Sequence, residues 1–520
     1  MTRPYLSVHD HLRQRAEEHA DRTFLVSIGQ GSSITFGEFG ELTDRFARLL
    51  EQYDLGPDDR VSILAENSIE SVVAYFGVQR HGSVVNPVNI RVNEASVEQI
   101  LGDVAPALVV YAAADRELAE RVRRAAPAAR WVEYGALDDP DAPDGSLFRL
   151  LAALPEGSSV RPVDDLAAPA IIAHTSGTSA TPKGVIHSRG SLHSSTEASI
   201  ELVAMTDADR LLEFRDISWL SPQVLTLSAT VATGATAVLA PTFSRSQFFE
   251  WLAAHRITVA VGVPSVINML LEQAGDDPVD ASTFPDLRFM TSSTAPLSVE
   301  RHREFEAAYG IEILQYMGMS EAGWIAGNRP GHRKIGTVGP AAPFQHLRIR
   351  DTEGHEVGPG VEGEIIVGGA QLAIGYLLDG DIVPLDDRDA LATGDLGKLD
   401  EDGYLTVTGR LKDIIIRGGV NIAPLEITTV LHRHPAVAEA AAVGVPDPIY
   451  GEAIAAFVEL RSTASVDDLM DHCRQQLSAY KVPATIHIVD ALARTERGKV
   501  DTAALRDLWQ GLAGDGEVAP

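Results

Sequence analysis

Between residues 24 and 111 the chain alternates short β-branched apolar runs, at 24–28, 61–64 and 107–111, with longer segments of helical period. One of these aligns Phe39, Leu42, Phe46 and Leu49 along a single helical face. Strands alternating with amphipathic helices predict a parallel, helix-covered sheet. A stretch rich in Asp, Pro and Gly at 138–165 interrupts the pattern and predicts a connecting loop with a short helix at 147–153. The alternation resumes with strand-like runs at 170–173, 236–240, 257–261 and 288–291, separated by helical stretches such as 246–255, which predicts a second doubly wound sheet. From 335 to 408 helices are scarce, and strands such as 347–349 and 364–367 are bounded by glycines, the pattern of a small antiparallel barrel. A compact α+β unit is expected after Lys412.

Composition narrows the class. At 520 residues the chain holds roughly three to four folding units, which excludes a lone small binding module. Its net charge of -30 repels phosphate backbones and anionic lipid, so neither nucleic acid nor membrane is an expected partner. The sole cysteine, Cys473, excludes an intramolecular disulfide and a Cys-clustered metal site. Residues 1–14 lack the apolar stretch of a secretory signal, and no run reaches membrane-span length, so a cytoplasmic location is expected.

The richest segment for chemistry is Thr175-Ser176-Gly177-Thr178-Ser179-Ala180-Thr181-Pro182-Lys183-Gly184, directly after an apolar strand. Small and hydroxyl residues let backbone amides approach phosphate oxygens, and Lys183 adds a point charge. An ordinary strand-to-helix turn with Ser and Thr caps is the equal alternative. Glu321, at the end of Gly318-Met319-Ser320-Glu321, follows a strand and suits a magnesium ligand, or equally an acid at a helix N-terminus. Asp395 in Thr393-Gly394-Asp395 suits vicinal ribose hydroxyls, or a turn. Gly418-Gly419 permits close backbone approach or a β-hairpin, and Lys499 reads as a lysine on a loop.

Taken in order, these segments, with Gly363-Glu364, Gly375-Tyr376, Gly409-Arg410 and Gly498-Lys499, resemble the adenylate-forming superfamily, most closely its acyl-CoA synthetases. The likeness covers nearly the whole chain. It implies an α/β fold: a large N-terminal AMP-binding domain, residues 1–411, of two doubly wound sheets plus a small β-barrel, and a small mobile α+β C-terminal domain, residues 412–520, hinged at Lys412. It also implies two half-reactions, formation of an acyl-adenylate from Mg-ATP and a carboxylic acid, then displacement of AMP by the thiol of coenzyme A.

By resemblance, Thr175, Ser176, Gly177, Thr178 and Lys183 hold phosphates, and Glu321 binds Mg2+. Ser293, Thr294, Met317, Ser320, Asp395 and Arg410 contact the nucleotide, and Lys499 bridges carboxylate and α-phosphate. Gly418 and Gly419 line the thiol tunnel, and Tyr450 and Tyr480 fall near the CoA adenine. Trp219, Gln223, Ser292, Gly318, Met319 and Gly323 line the acyl pocket, whose methionines suit a bulky apolar acid.

The departures from the family gather on the ATP side: Ala180 where relatives carry glycine, Met317 where they stack tyrosine, and Ser293-Thr294 for a small Gly/Ala pair. They predict weakened adenylation, with acyl-AMP, supplied by a separate adenylating enzyme, as the better substrate. Two other readings stand beside this one. The first is an adenylation enzyme that loads an amino or aryl acid onto a separate carrier protein, with Asp216 holding an amine; no carrier domain is expected in the twenty or so residues after Lys499. The second is a non-catalytic nucleotide-binding pseudoenzyme.

Overall fold

The computed structural model describes residues 5–64, 66–137, 139, 141, 143–154, 165–175, 182–272, 281–495 and 499–514. Helix Phe36–Gln52 shows how local sequence sets an element. Thr35 and Glu38 close a capping box at its start, and Phe39, Phe46 and Leu49 are buried on one face. It packs on helix Ile69–His81, where Gly77 lies so close to Phe46 that a Cβ would come within 2.6 Å of the ring. That second helix is buried throughout and ends at Gly82 with φ 100°.

Among the described residues the strands form two eight-stranded sheets and two smaller ones. The first runs, in spatial order, Gly323–Gly327, Ile313–Met319, Phe289–Ser292, Val259–Ala260, Arg210–Glu213, Thr236–Leu239, Thr23–Ser27, Ser32–Thr35. The second runs Asp381–Pro384, Gly375–Leu378, Lys183–Ser188, Pro169–Thr175, Val84–Val88, Arg60–Leu64, Leu108–Ala112, Arg130–Tyr134. Their inner strands are parallel and nearly all apolar, as burial on both faces requires. Both expected doubly wound sheets are present, each with antiparallel strands at an edge.

The expected barrel is not. Strands Gln345–Arg350, Gly363–Gly369, Leu391–Leu399 and Leu405–Arg410 form an open antiparallel sheet. The edge that closure would need is already in use: Leu405 exchanges backbone hydrogen bonds with Val338 and Gly339, both 2.8 Å. After the short turn Leu411–Asp413 comes the α+β unit. Its sheet runs Val420–Ile422, Ile415–Arg417, Gly451–Leu460, Val437–Asp447, with Thr485–Ile488 paired parallel to Gly451–Leu460. Among the described residues no helix is long and apolar enough to cross a membrane.

Candidate active site

Thr175 ends one strand and Lys183 begins the next, and the two are cross-strand partners in an antiparallel pair. The phosphate segment therefore connects a β-hairpin, not a strand to a helix. Ser176, Gly177, Thr178 and Ala180 lie outside the described residues. Lys183 is exposed, and its Nζ stands 6.0 Å from the ring centroid of Tyr376. The Tyr376 hydroxyl donates to Glu321 Oε1 at 3.2 Å, and burial plus that carboxylate push the phenol well above its ordinary pKa. Tyr376 belongs to the second sheet, whereas Glu321 sits in the turn between strands Ile313–Met319 and Gly323–Gly327 of the first. One hydrogen bond thus joins the two sheets where an open α/β fold binds ligands, beyond the carboxyl ends of its strands. Glu321 is on a strand–strand turn, so the helix N-terminus alternative does not apply.

The backbone on either side of Glu321 is fixed. Its carbonyl accepts from Ala373, 2.8 Å, and the Ser320 carbonyl accepts from His187 Nε2, 2.7 Å. Because a carbonyl only accepts, His187 carries its proton on Nε2, leaving Nδ1 to accept from Ser191 Oγ at 3.2 Å. Burial lowers the His187 pKa from 6.5 to about 4, so the ring is neutral. A histidine closing an apolar strand carries no sequence signal of this role, since its partner lies 133 residues away.

Ser293, Thr294 and Met317 stand at neighbouring strand ends of the first sheet, and Asp395 and Arg410 in the third. Ser292 is paired with Gln315, which puts Ser293 and Thr294 beside Tyr316 and Met317. Ser292 and Ser293 are buried, the Ser292 hydroxyl without a hydrogen-bond partner among the described residues. Thr294 is half-buried with φ +76°, a left-handed conformation for a β-branched residue. Strand alternation turns Tyr316 inward, edge-on to Trp324 at 5.6 Å, and leaves Met317 partly exposed on the other face. Asp395 and Arg410 are cross-strand partners joined by an ion pair of 2.7 Å. Asp395 therefore stands in a strand, not a turn.

The acyl candidates divide. Trp219 is half-buried, beside a π-helix at Pro222–Ser228, a local form often found at functional sites. Gln223 is corrected: it is fully buried, donates to the Ile217 carbonyl at 2.9 Å and accepts from Tyr75, so its amide serves the core. Gly323, φ +62°, is a packing position, since a Cβ there would lie 2.7 Å from Ser195 Oγ and from Gln371 Oε1. Gly318 likewise approaches the Gly323 carbonyl, and Met319 packs on a cluster around Ala322 and Ile325. Asp216 is buried and accepts from the Ser218 amide at 2.8 Å, with burial raising its pKa. One oxygen of this carboxyl thus serves as a local cap on the Ser218 amide. Sequence reading missed the Glu213–Arg215 pair next to it, joined at 2.8 Å with side chains 0% and 3% exposed; the two charges flanking Phe214 at a strand end were the available signal.

Gly418 and Gly419 form the turn of the hairpin between Ile415–Arg417 and Val420–Ile422, with φ +58° and +83°. Positive φ at both central residues explains why both are glycine. The Gly418 amide donates to the Tyr450 carbonyl at 2.8 Å, while Arg417 lies 5.1 Å over the Tyr450 ring and donates to the Tyr480 carbonyl at 2.7 Å. These residues share one exposed face, and Arg417 is its unforeseen member. Lys412 is exposed in the turn Leu411–Asp413. Lys499 lies on a separate hairpin, where its carbonyl accepts from the Thr495 amide at 2.7 Å.

Comparison with known proteins gives a consistent picture. The chain matches the AMP-binding enzyme family over residues 12–377 and the AMP-binding enzyme C-terminal domain over residues 426–499. It is 35% identical to a sulfoacetate–CoA ligase of Cupriavidus necator, covering 94% of this chain and 96% of that protein. The crystal structure of ATP-bound MatB from Rhodopseudomonas palustris superimposes with a TM-score of 0.87 at 27% identity, covering 98% and 100% of the two chains. The apo form of MatB gives 0.79, covering 97% and 99%.

Proposed function

The chain belongs to the AMP-binding enzymes, the adenylate-forming superfamily, and from that membership and its site we propose that it is an acyl-CoA ligase. It converts a carboxylic acid and ATP to acyl-AMP and pyrophosphate, then transfers the acyl group to the thiol of coenzyme A. The observation that carries this reading is the Tyr376–Glu321 bridge, which joins the Thr175–Lys183 hairpin to the strand ends bearing Ser293, Thr294 and Met317.

A carboxylate and a triphosphate repel each other, so the first step needs cations fixed in advance. Lys183 and Lys499 supply them. Asp395, oriented by Arg410, accepts from ribose hydroxyls. A single carboxylate, Glu321, fits Mg2+, which is usually held by one or two protein oxygens plus phosphates and water. When bound, the ion neutralises phosphate charge.

The two steps use two positions of residues 412–520, hinged at Lys412. The present arrangement is the adenylating one: the hairpin of Lys499 is tied toward the large domain, whereas Gly418, Gly419, Tyr450 and Tyr480 face solvent. Rotation would carry Gly418 and Gly419 to the site as the thiol's entry, with Tyr450, Tyr480 and Arg417 near the CoA adenine.

The acid is bulky and apolar, held beside Trp219 and Met319. Adenylation is the weaker half, because Ala180, Met317 and strained Thr294 all fall on the ATP subsite. Charge-assisted hydrogen bonds to the triphosphate are worth about 1.5–3 kcal/mol each, and a lost aromatic stack about 1–3. Acyl-AMP lacks the outer phosphates and escapes the first loss. The test is ATP plus acid against supplied acyl-AMP, each with CoA, over aliphatic, aromatic and sulfonated acids. Ala180→Gly with Met317→Tyr should raise pyrophosphate release at least about tenfold, roughly 1.4 kcal/mol in barrier, and leave thioester formation from acyl-AMP unchanged. Equal turnover of ATP and acyl-AMP by the native chain would leave an ordinary two-step ligase, and a sulfonated acid as best substrate would overturn the apolar pocket.

A further inference from the structure

The hairpin that carries Lys499 is anchored at its base. Arg494 and Val500 form a cross-strand bridge, and the Arg494 guanidinium lies 3.5 Å from Glu439 Oε2. The other oxygen of Glu439 receives the side-chain amide of Asn268, which projects from helix Pro264–Leu271 of the large domain. Asn268 is 8% exposed and the Glu439 side chain 14%. The preceding carbonyl, that of Ala438, accepts from Arg301, a buried residue of helix Val299–Tyr309. Two more pairs cross the same boundary, Arg461–Glu304 at 2.8 Å and Arg433–Glu300 at 3.3 Å. Their side chains are a third to a half exposed, and such pairs contribute little. Glu439, largely shielded from solvent, thus links the large domain to the hairpin, with one partner on each side of it.

We propose that Asn268, Glu439 and Arg494 are positioning residues that latch the Lys499 hairpin in the adenylating arrangement. The proposal rests on the role given to Lys499 above. In the docked state the Glu439 carboxylate exchanges water for the Asn268 amide, and its other oxygen orients Arg494 at the foot of the hairpin. Turning the small domain separates Glu439 from Asn268, so the latch must open between the two half-reactions. Removing either member frees the hairpin without touching substrate, phosphates or thiol. The loss falls on the adenylation step alone.

The experiment measures both half-reactions in Glu439→Ala, Asn268→Ala and Lys499→Ala, using ATP with the best acid and, separately, supplied acyl-AMP with CoA. A fluorophore pair on cysteines introduced at the exposed positions Arg303 and Asp471 reports the distance between domains. Glu439→Ala and Asn268→Ala are expected to lower kcat for pyrophosphate release at least about tenfold with KM for ATP unchanged. Thioester formation should stay within about twofold, with the fluorophore distance shifted in the absence of ligand. Asn268→Ala keeps the test open if Glu439→Ala fails to fold. Equal slowing of both half-reactions, or unchanged adenylation in both variants while Lys499→Ala abolishes it, overturns the latch. If Lys499→Ala itself leaves adenylation intact, the role of Lys499 is overturned and the latch with it.

Discussion

Thr294 holds a backbone conformation that its side chain opposes. A β-branched residue at φ +76° costs about 1–3 kcal/mol, and the surrounding strand ends must hold it there. Thr294→Gly should therefore raise the urea midpoint, by a gain of about 1 kcal/mol once the greater freedom of glycine in the unfolded chain is counted. An unchanged or lower midpoint would mean that the threonine makes interactions that offset its strain. The replacement of a small pair by Ser293-Thr294 was legible in sequence; the dihedral was not, because φ depends on how two neighbouring strands end. The relation of Tyr316 to Met317 was half legible. Sequence reading put methionine at the stacking position, and the alternation of strand faces explains why the tyrosine one place earlier cannot substitute: it is spent against Trp324 in the core. Gln223 misled for a similar reason, since a polar residue near a pocket and one satisfying a core carbonyl look alike until Ile217 and Tyr75 are placed.

At the scale of elements, periodicity carried most of the fold. Strands at 24–28, 61–64 and 107–111 appear as Thr23–Ser27, Arg60–Leu64 and Leu108–Ala112, and the helix at 147–153 as Leu147–Ala153. Closure of the third sheet was not readable, because it depends on whether Leu405 meets another strand or the Val338–Gly339 backbone. The Gly418-Gly419 hairpin was readable both as a turn and as part of a site, and the two readings are compatible. Gly418→Leu places a branched side chain at φ +58°, where even a Cβ would stand 3.3 Å from the Tyr450 ring. That variant should lose thioester formation by at least about tenfold while still releasing pyrophosphate from ATP, measured in separate half-reaction assays. Full CoA turnover would remove the hairpin from the thiol path.

For the whole molecule, acid is the condition that tests how it is held together. His187 is buried and His432 half-buried, and desolvation lowers both from 6.5 to about 4, with Arg301 and Arg461 adding to the effect at His432. The unfolded chain takes up these protons near pH 6.5 while the folded chain resists them until about 4. Their contribution is complete above 6.5 and is lost as pH falls toward 4. The urea midpoint should drop between pH 7 and 5, and His187→Gln with His432→Gln should flatten that drop. An equally steep drop in the double variant would assign it to other groups. The central claim is that one scaffold performs two half-reactions, with Lys499 needed for only one. It is tested most directly by Lys499→Ala, assayed for pyrophosphate release from ATP and acid and for acyl-CoA formation from supplied acyl-AMP. The account predicts loss of the first by at least about a hundredfold, some 2.7 kcal/mol, with the second within about twofold of the native rate. Equal loss of both, or of neither, would contradict it.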